Sequence, residues 1–256
     1  KAVNNVDLHV KKGAIYGFIG RNGAGKTTFL KMISGLSKPT DGEIQMFGYR
    51  NEELKNVRSR ISCLIEAPGI YGNMSAYHNL AIKCRLFGIN DSKYIENILK
   101  IVGLSEVGKK KTKHFSLGMK QRLGIGLALV GEPDLLVLDE PINGLDPQGI
   151  AEIRDMLLRL KEEQNMTIII SSHILEELSK IATHYGIIHN GSLIQELTRE
   201  ELMTRCSERM ELTLDDPKAA LPILDQMGFT NYQVVNQSTI HIYERLNESA
   251  AVNMEL

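Results

Sequence analysis

Val6-Asp7-Leu8-His9-Val10 alternates apolar and polar residues, and Lys11-Lys12-Gly13 interrupts it before the apolar run Ala14–Ile19. Period-two alternation, a breaker and then a continuous apolar run predict a strand, a turn and a more deeply buried strand. Farther on, Thr27–Gly35 brings Phe29, Leu30 and Ile33, with Leu36 beyond, to helical spacing. Pro39-Thr40-Asp41-Gly42 has turn composition, and Glu43–Phe47 alternates again as a strand. From about Asn51 to Lys113 the helical period dominates, most clearly over Ala76–Leu86 and Ser92–Val102. Strand-like runs return at Leu135–Leu138 and Thr167–Ile170, with an amphipathic helix over Gly149–Lys161 between them. That order implies a right-handed parallel crossover. Ile187–Ile194 reads as a hairpin turning at Asn190-Gly191. After roughly Arg205 the character changes to strand, helix, strand, strand over Met210–Leu214, Ala219–Met227, Tyr232–Val235 and Thr239–Tyr243.

Composition adds limits. The 256 residues suffice for one large domain, or one domain and a small appendage. A formal charge of −1 supplies no global field for nucleic acid or anionic lipid. Cys63, Cys84 and Cys206 are scattered without a CxxC pair, which favours buried thiols in a reducing compartment over disulfides or a zinc site. No apolar run approaches the roughly 18 residues of a membrane span, and no signal peptide is visible. The chain opens at Lys1 close to a strand and stops without an obvious end, so it is expected to be a piece of a longer protein.

The candidate chemistry begins at Gly20-Arg21-Asn22-Gly23-Ala24-Gly25-Lys26-Thr27-Thr28, placed between a predicted strand and a predicted helix. Glycines let the backbone amides converge on phosphate oxygens. Lys26 can stand between terminal phosphates, Thr27 can ligate Mg²⁺, and the helix start adds its dipole. No Asn-Lys pair occurs in the chain, which argues against a base-reading GTPase. Leu135-Leu136-Val137-Leu138-Asp139-Glu140-Pro141 is a buried strand ending in two acids, delivered to the edge where α/β folds bind ligands. There Asp139 would hold Mg²⁺ and Glu140 would polarise an attacking water. Ser116 and small Gly118 at a helix start offer a hydroxyl, amides and a positive dipole to a γ-phosphate.

Phe115-Ser116-Leu117-Gly118-Met119-Lys120-Gln121-Arg122, Asn143-Gly144-Leu145-Asp146-Pro147 and Ser171-Ser172-His173 accompany these motifs in order, and together the set resembles the ABC ATPase family from Val3 to about Glu196. The resemblance implies an α/β P-loop NTPase fold with a parallel core sheet, an antiparallel β subdomain and a helical subdomain. It implies ATP and Mg²⁺ as cofactors, with ATP sandwiched between two copies. By match, Asn22, Gly23, Ala24, Gly25, Lys26, Thr27 and Thr28 bind nucleotide, Ser116 and Gly118 approach it from the second copy, and Asp146 fits the dimer-contact loop that links the two nucleotide sites. Lys26, Glu140 and His173 carry the hydrolysis; Thr27, Asp139 and Glu66 hold the metal. Three positions depart from the family wording: Leu117 and Met119 replace a glycine and a glutamine, and Glu66 stands where glutamine is common. Glu66 brings an added charge toward Asp139 and Glu140. The aromatic that stacks on adenine would lie upstream of Lys1, and Tyr16 reads as core.

The expected organisation is an ATPase domain over 1–205, with a helical insert at about 67–125, and an incomplete α+β accessory segment over 206–256. The resemblance further implies a separate membrane permease docked along Ile65–Leu80 through Gly69, Tyr71, Met74 and Tyr77, on the cytoplasmic face of the membrane. The wording SLGMKQRL and Glu66 look most like the branch that exports or confers immunity to peptide antibiotics of the bacitracin and lantibiotic kind. Two other readings stay open: a soluble ABC-type ATPase, and an ATP-sensing regulatory subunit of low turnover. The run Gly108–His114 reads as a solvated basic loop or as steering for the partner's nucleotide, and His184 and His189 as structural. Phenylalanines and tyrosines do not interleave with basic residues, so no nucleic-acid partner is expected.

Overall fold

The computed structural model describes residues 1–206, 209–245 and 252. The chain divides into two compact units, Lys1–Arg199 and Glu200–Leu256. Within the first, six strands form one sheet: β1 (Ile15–Ile19), β4 (Ile61–Leu64), β5 (Leu135–Asp139), β6 (Thr167–Ser172), β7 (His184–His189) and β8 (Ser192–Thr198), in the order β4-β5-β6-β1-β7-β8. The first five run parallel, and β8 returns antiparallel on β7 through Asn190-Gly191. β5 and β6 are buried at every position, as parallel strands covered on both faces must be. Two further strands, β2 (Gln45–Met46) and β3 (Tyr49–Arg50), form a small antiparallel pair.

Alternation along β1 aims Tyr16 and Phe18 at one face, where they pack with Phe29, Leu30 and Ile33 of α1 (Lys26–Ile33) and with Val137 and Ile169. The rings of Phe18 and Phe29 lie 5.0 Å apart. Tyr16 is fully buried and its hydroxyl donates to Glu196 Oε1 at 2.6 Å; burial and that carboxylate push its pKa well above the usual tyrosine value. Tyr16 is therefore core, as its place in a strand predicts.

Two expectations need correction. Val6–Val10 alternates but forms no strand; Val6, Leu8 and Val10 are partly buried against the β1 core without a hydrogen-bonded ladder. The block from Asn51 to Lys113 is not helical throughout. It opens with a 3₁₀ segment, Asn51–Arg60, and continues into β4, which pairs with β5. After β4 come α2 (Ala76–Leu86), α3 (Ser92–Ile101) and α4 (Leu117–Leu129), capped by the side chains of Ser75, Asp91 and Ser116. Gly124 and Gly126 let α4 lie close to other elements, with Pro68 and Leu64 against the first and Ile98 and Val102 against the second. The loop before α2 is tied down from inside. Buried Asn79 bonds both the amide and the carbonyl of Tyr71, and buried Thr112 donates to the same carbonyl at 2.9 Å. The run Gly108–His114 is thus not wholly solvated, because Thr112 within it is inaccessible.

α5 (Pro147–Gln164) joins β5 to β6, with Asp146 as N-cap, Pro147 in the first turn and Asn165 left-handed at its end. α6 (Leu175–Ser179) follows β6. The sequence pattern did not predict α7 (Arg199–Cys206). In the second unit the order is β9 (Met210–Thr213), α8 (Pro217–Gln226), β10 (Tyr232–Val234) and β11 (Thr239–Ile242), with sheet order β10-β11-β9. Leu212, Leu224, Phe229, Ile240 and Ile242 form its core.

Candidate functional site

Three neighbouring strands, β5, β6 and β1, end at the same edge of the sheet, and each releases one part of the site. After β1 the chain turns through Gly23 (φ 80°) and Gly25 (φ 106°) into α1. Gly25 is required twice over. Its φ is left-handed, and a Cβ there would lie 2.5 Å from the carbonyl oxygen of Ala2. Asn22, Gly23, Gly25, Lys26, Thr27 and Thr28 line a cavity of about 220 Å³ together with Ala2 and Glu140. Ala24 lies in the same loop but is buried in the core behind it. The Lys26 ammonium is buried and donates to the carbonyls of Gly20 (2.7 Å) and Arg21 (3.3 Å).

After β5, Asp139 is buried and receives two hydroxyl donors: Thr27 on Oδ2 at 2.7 Å and Ser171 on Oδ1 at 2.5 Å. Glu140 has a left-handed backbone (φ 47°). Its Oε1 lies 3.1 Å from Lys26 Nζ, an ion pair without hydrogen-bond alignment. Its Oε2 meets His173 Nδ1 at 2.9 Å. An ionised carboxylate only accepts, so the proton belongs on Nδ1. Lys26, Thr27, Asp139, Glu140 and His173, chosen from separate motifs, thus form one connected cluster. It carries two acids against one lysine, with a histidine and the Thr27 hydroxyl as further donors, and the Ser171 hydroxyl joins it at Asp139.

Other residues singled out in the sequence lie apart from that network. Ser116 caps α4 by accepting from the Met119 amide at 3.2 Å, and Leu117 beside it is exposed. Asp146 caps α5 by accepting from Gly149 at 3.1 Å. Glu66, left-handed at φ 64°, pairs with Lys31 of α1 at 2.6 Å and makes no hydrogen bond to Asp139. Ser171 is the residue to which sequence reasoning gave no role, although it joins both acids. Its sequence signal is slight: it is the first of two serines, Ser171-Ser172, that close a strand after three isoleucines.

A family model described as ABC transporter matches residues 3–143. The chain belongs to the ABC transporter ATP-binding family. It is 44% identical over 257 residues to a bacitracin transport ATP-binding protein, BcrA, of Bacillus licheniformis, covering 99% of this chain and 83% of that one. It is 45% identical over 194 residues to the lantibiotic transport ATP-binding protein SrtF of Streptococcus pyogenes, covering 76% and 83%. Among solved structures, the dimeric bacterial ABC transporter cassette MJ0796 superposes with a TM-score of 0.69 at 25% identity, covering 77% of this chain and 90% of that one. The chain is therefore the ATP-binding, ATP-hydrolysing subunit of an ABC transporter, and its first unit has the ABC ATPase fold. Among the described residues no helix is long and apolar enough to cross a membrane.

Proposed function

We propose that this ABC ATPase drives a separate membrane permease that moves a peptide antibiotic or related amphiphile, from the inner face of the cell membrane. Likeness to BcrA and SrtF over most of all three chains supports the cargo class. The exposed side chains of Tyr71 and Met74, on the loop that Asn79 and Thr112 hold rigid, offer the permease a docking surface.

The observation that carries the mechanism is the cluster joining Lys26, Thr27, Asp139, Glu140 and His173. Amides of Asn22–Thr28 and the Lys26 ammonium would bind the triphosphate at the start of α1. Mg²⁺ fits this donor set: Thr27 Oγ1 and Asp139 Oδ2, 2.7 Å apart, would hold it. Among the described residues no three acids, histidines or cysteines form a cage. Two protein oxygens plus phosphates and waters is the usual arrangement for this ion, which neutralises phosphate charge when bound. Glu66 would join the metal's surroundings only after releasing Lys31. Glu140 accepts the proton of the attacking water, and His173 holds its carboxylate in place. Ser116 and Gly118 of a second copy close over the nucleotide, in the manner of a dimeric cassette, and Asp146 lies in the contact loop that links the two sites.

Glu140→Gln tests this reading. The side chain keeps its size and loses its charge. A general base contributes roughly 10²–10⁴-fold, so hydrolysis should fall by about that factor. ATP binding should persist, because an anion beside the γ-phosphate site is removed, and ATP should drive a stable dimer visible by size exclusion. Full turnover in that variant would show that Glu140 is not the base.

A further inference from the structure

Ser171 ends the apolar stretch of β6, opposite Phe18 on one side and Asp139 on the other, and is fully inaccessible. A hydroxyl in a central parallel strand is costly unless both its donor and its acceptor capacity are used. Here both are, and only one assignment is possible. An ionised Asp139 can only accept, and the amide of Glu140 can only donate. The Ser171 proton therefore goes to Asp139 Oδ1 at 2.5 Å, and its lone pair receives the Glu140 N–H at 2.9 Å. One side chain fixes both acids through different atoms: the plane of the first carboxylate and the backbone of the second.

We infer that Ser171 is a positioning residue for the hydrolytic site. By holding Oδ1, it turns Asp139 so that Oδ2 faces Thr27, the direction from which the metal would be bound. By holding the Glu140 amide, it sustains the left-handed turn that sends the Glu140 carboxylate to His173 and Lys26 rather than along the strand. The matched family region stops at residue 143, before Ser171. The inference rests on the reading of Asp139 as the metal-holding carboxylate.

The test uses the full chain with Mn²⁺ as the spin probe and a non-hydrolysable ATP analogue. For Ser171→Ala, nucleotide affinity in EDTA should stay within about twofold of the parent. Mn²⁺ affinity of the nucleotide complex should fall by roughly 10–100-fold, the usual effect of removing a partner that orients a metal ligand. The kcat should fall with it, while KM for ATP at saturating metal hardly moves. Ser171→Thr, which keeps the hydroxyl, should recover both. If Ser171→Ala fails to fold, Ser171→Cys, nearly equal in size and a poor donor, takes its place with the same expectation. Unchanged Mn²⁺ affinity in the hydroxyl-free variant overturns the inference, as does a Thr variant no better than Ala. Asp139→Asn separates the two levels. If it leaves Mn²⁺ affinity intact, the metal reading itself fails; if it abolishes affinity while Ser171→Ala does not, only the positioning role fails.

Discussion

Substitution of Gly124 by alanine sets two opposing effects against each other. Gly124 lies in the middle of α4, where alanine is favoured over glycine by about 1 kcal/mol. Against that gain, a Cβ at Gly124 would sit 2.6 Å from Pro68 Cβ and 3.2 Å from both methyls of Leu64. A proline ring has no rotamer to yield, so helix and loop must separate, and overpacking of this kind costs about 1–3 kcal/mol. The net is a destabilisation of up to about 2 kcal/mol, or a fall in Tm of up to about 8 °C at 2–4 °C per kcal/mol. Gly126 provides the internal comparison. Its Cβ would meet methyls of Ile98 and Val102 at 3.3–3.5 Å, a crowding those side chains can absorb, so the helix gain should prevail. Thermal unfolding followed by circular dichroism on both variants decides the matter. A Gly124→Ala protein that melts above the parent, or a Gly126→Ala protein that melts below Gly124→Ala, would refute the packing assigned to α4. Because Pro68 lies two residues beyond Glu66, the first variant should also disturb Glu66 and raise the Mg²⁺ concentration needed for ATPase activity.

Tyr16→Phe should change the alkaline limb of the stability curve. The folded pKa of Tyr16 is raised by burial and by Glu196, so its contribution is complete below about pH 10 and is lost as pH rises beyond that. Removing the hydroxyl should flatten that loss in urea titrations above pH 10, and an unchanged slope would contradict the assignment. Glu66→Gln breaks an ion pair whose partners are largely exposed, worth about 0.2–1 kcal/mol, so Tm should move by less than about 4 °C in a thermal melt. Thr112→Val should cost only about 1 kcal/mol, because the Tyr71 carbonyl keeps Asn79 Nδ2 at 3.2 Å. Asn79→Ala, which strips three bonds from loop backbone, one of them to the buried Ser75 carbonyl, should cost more in the same denaturant titration.

The sheet strands β1, β5 and β6 were legible because parallel strands covered on both faces read as unbroken apolar runs. The phosphate loop and the acid pair were legible because their residue types have few structural uses in that order. β4 was not, since Ile61-Ser62-Cys63-Leu64 is short, mixed in polarity and only half-buried over its first three positions. Val6–Val10 misled for the opposite reason. Its alternation reports that one face is packed, and packing does not require a ladder. The Lys31–Glu66 pair spans 35 positions, and no local pattern could announce it. Ser171 was hidden because two serines closing a strand carry no periodicity; its meaning comes wholly from what β5 places opposite.

Consecutive acids at the end of a strand pose an electrostatic problem that the backbone answers. Two carboxylates about 4 Å apart repel by about 4 kcal/mol near a protein surface. A continued strand would at least point them to opposite faces, but then only one would reach the edge where phosphates bind. The chain instead turns left-handed at Glu140, a conformation that costs a glutamate about 1–2 kcal/mol. The turn hands the two acids different partners: hydroxyls for Asp139, a lysine and a histidine for Glu140. Glu66, the third acid of the set, is left-handed as well and is held by its own lysine, Lys31. Strain placed at two of three acids, each met by a separate cation, is hard to explain as a feature of stability alone, since relaxed backbones would serve that end better. In this arrangement Glu140 and Glu66 each meet a lysine of their own, Lys26 and Lys31, while Asp139 is held by the hydroxyls of Thr27 and Ser171.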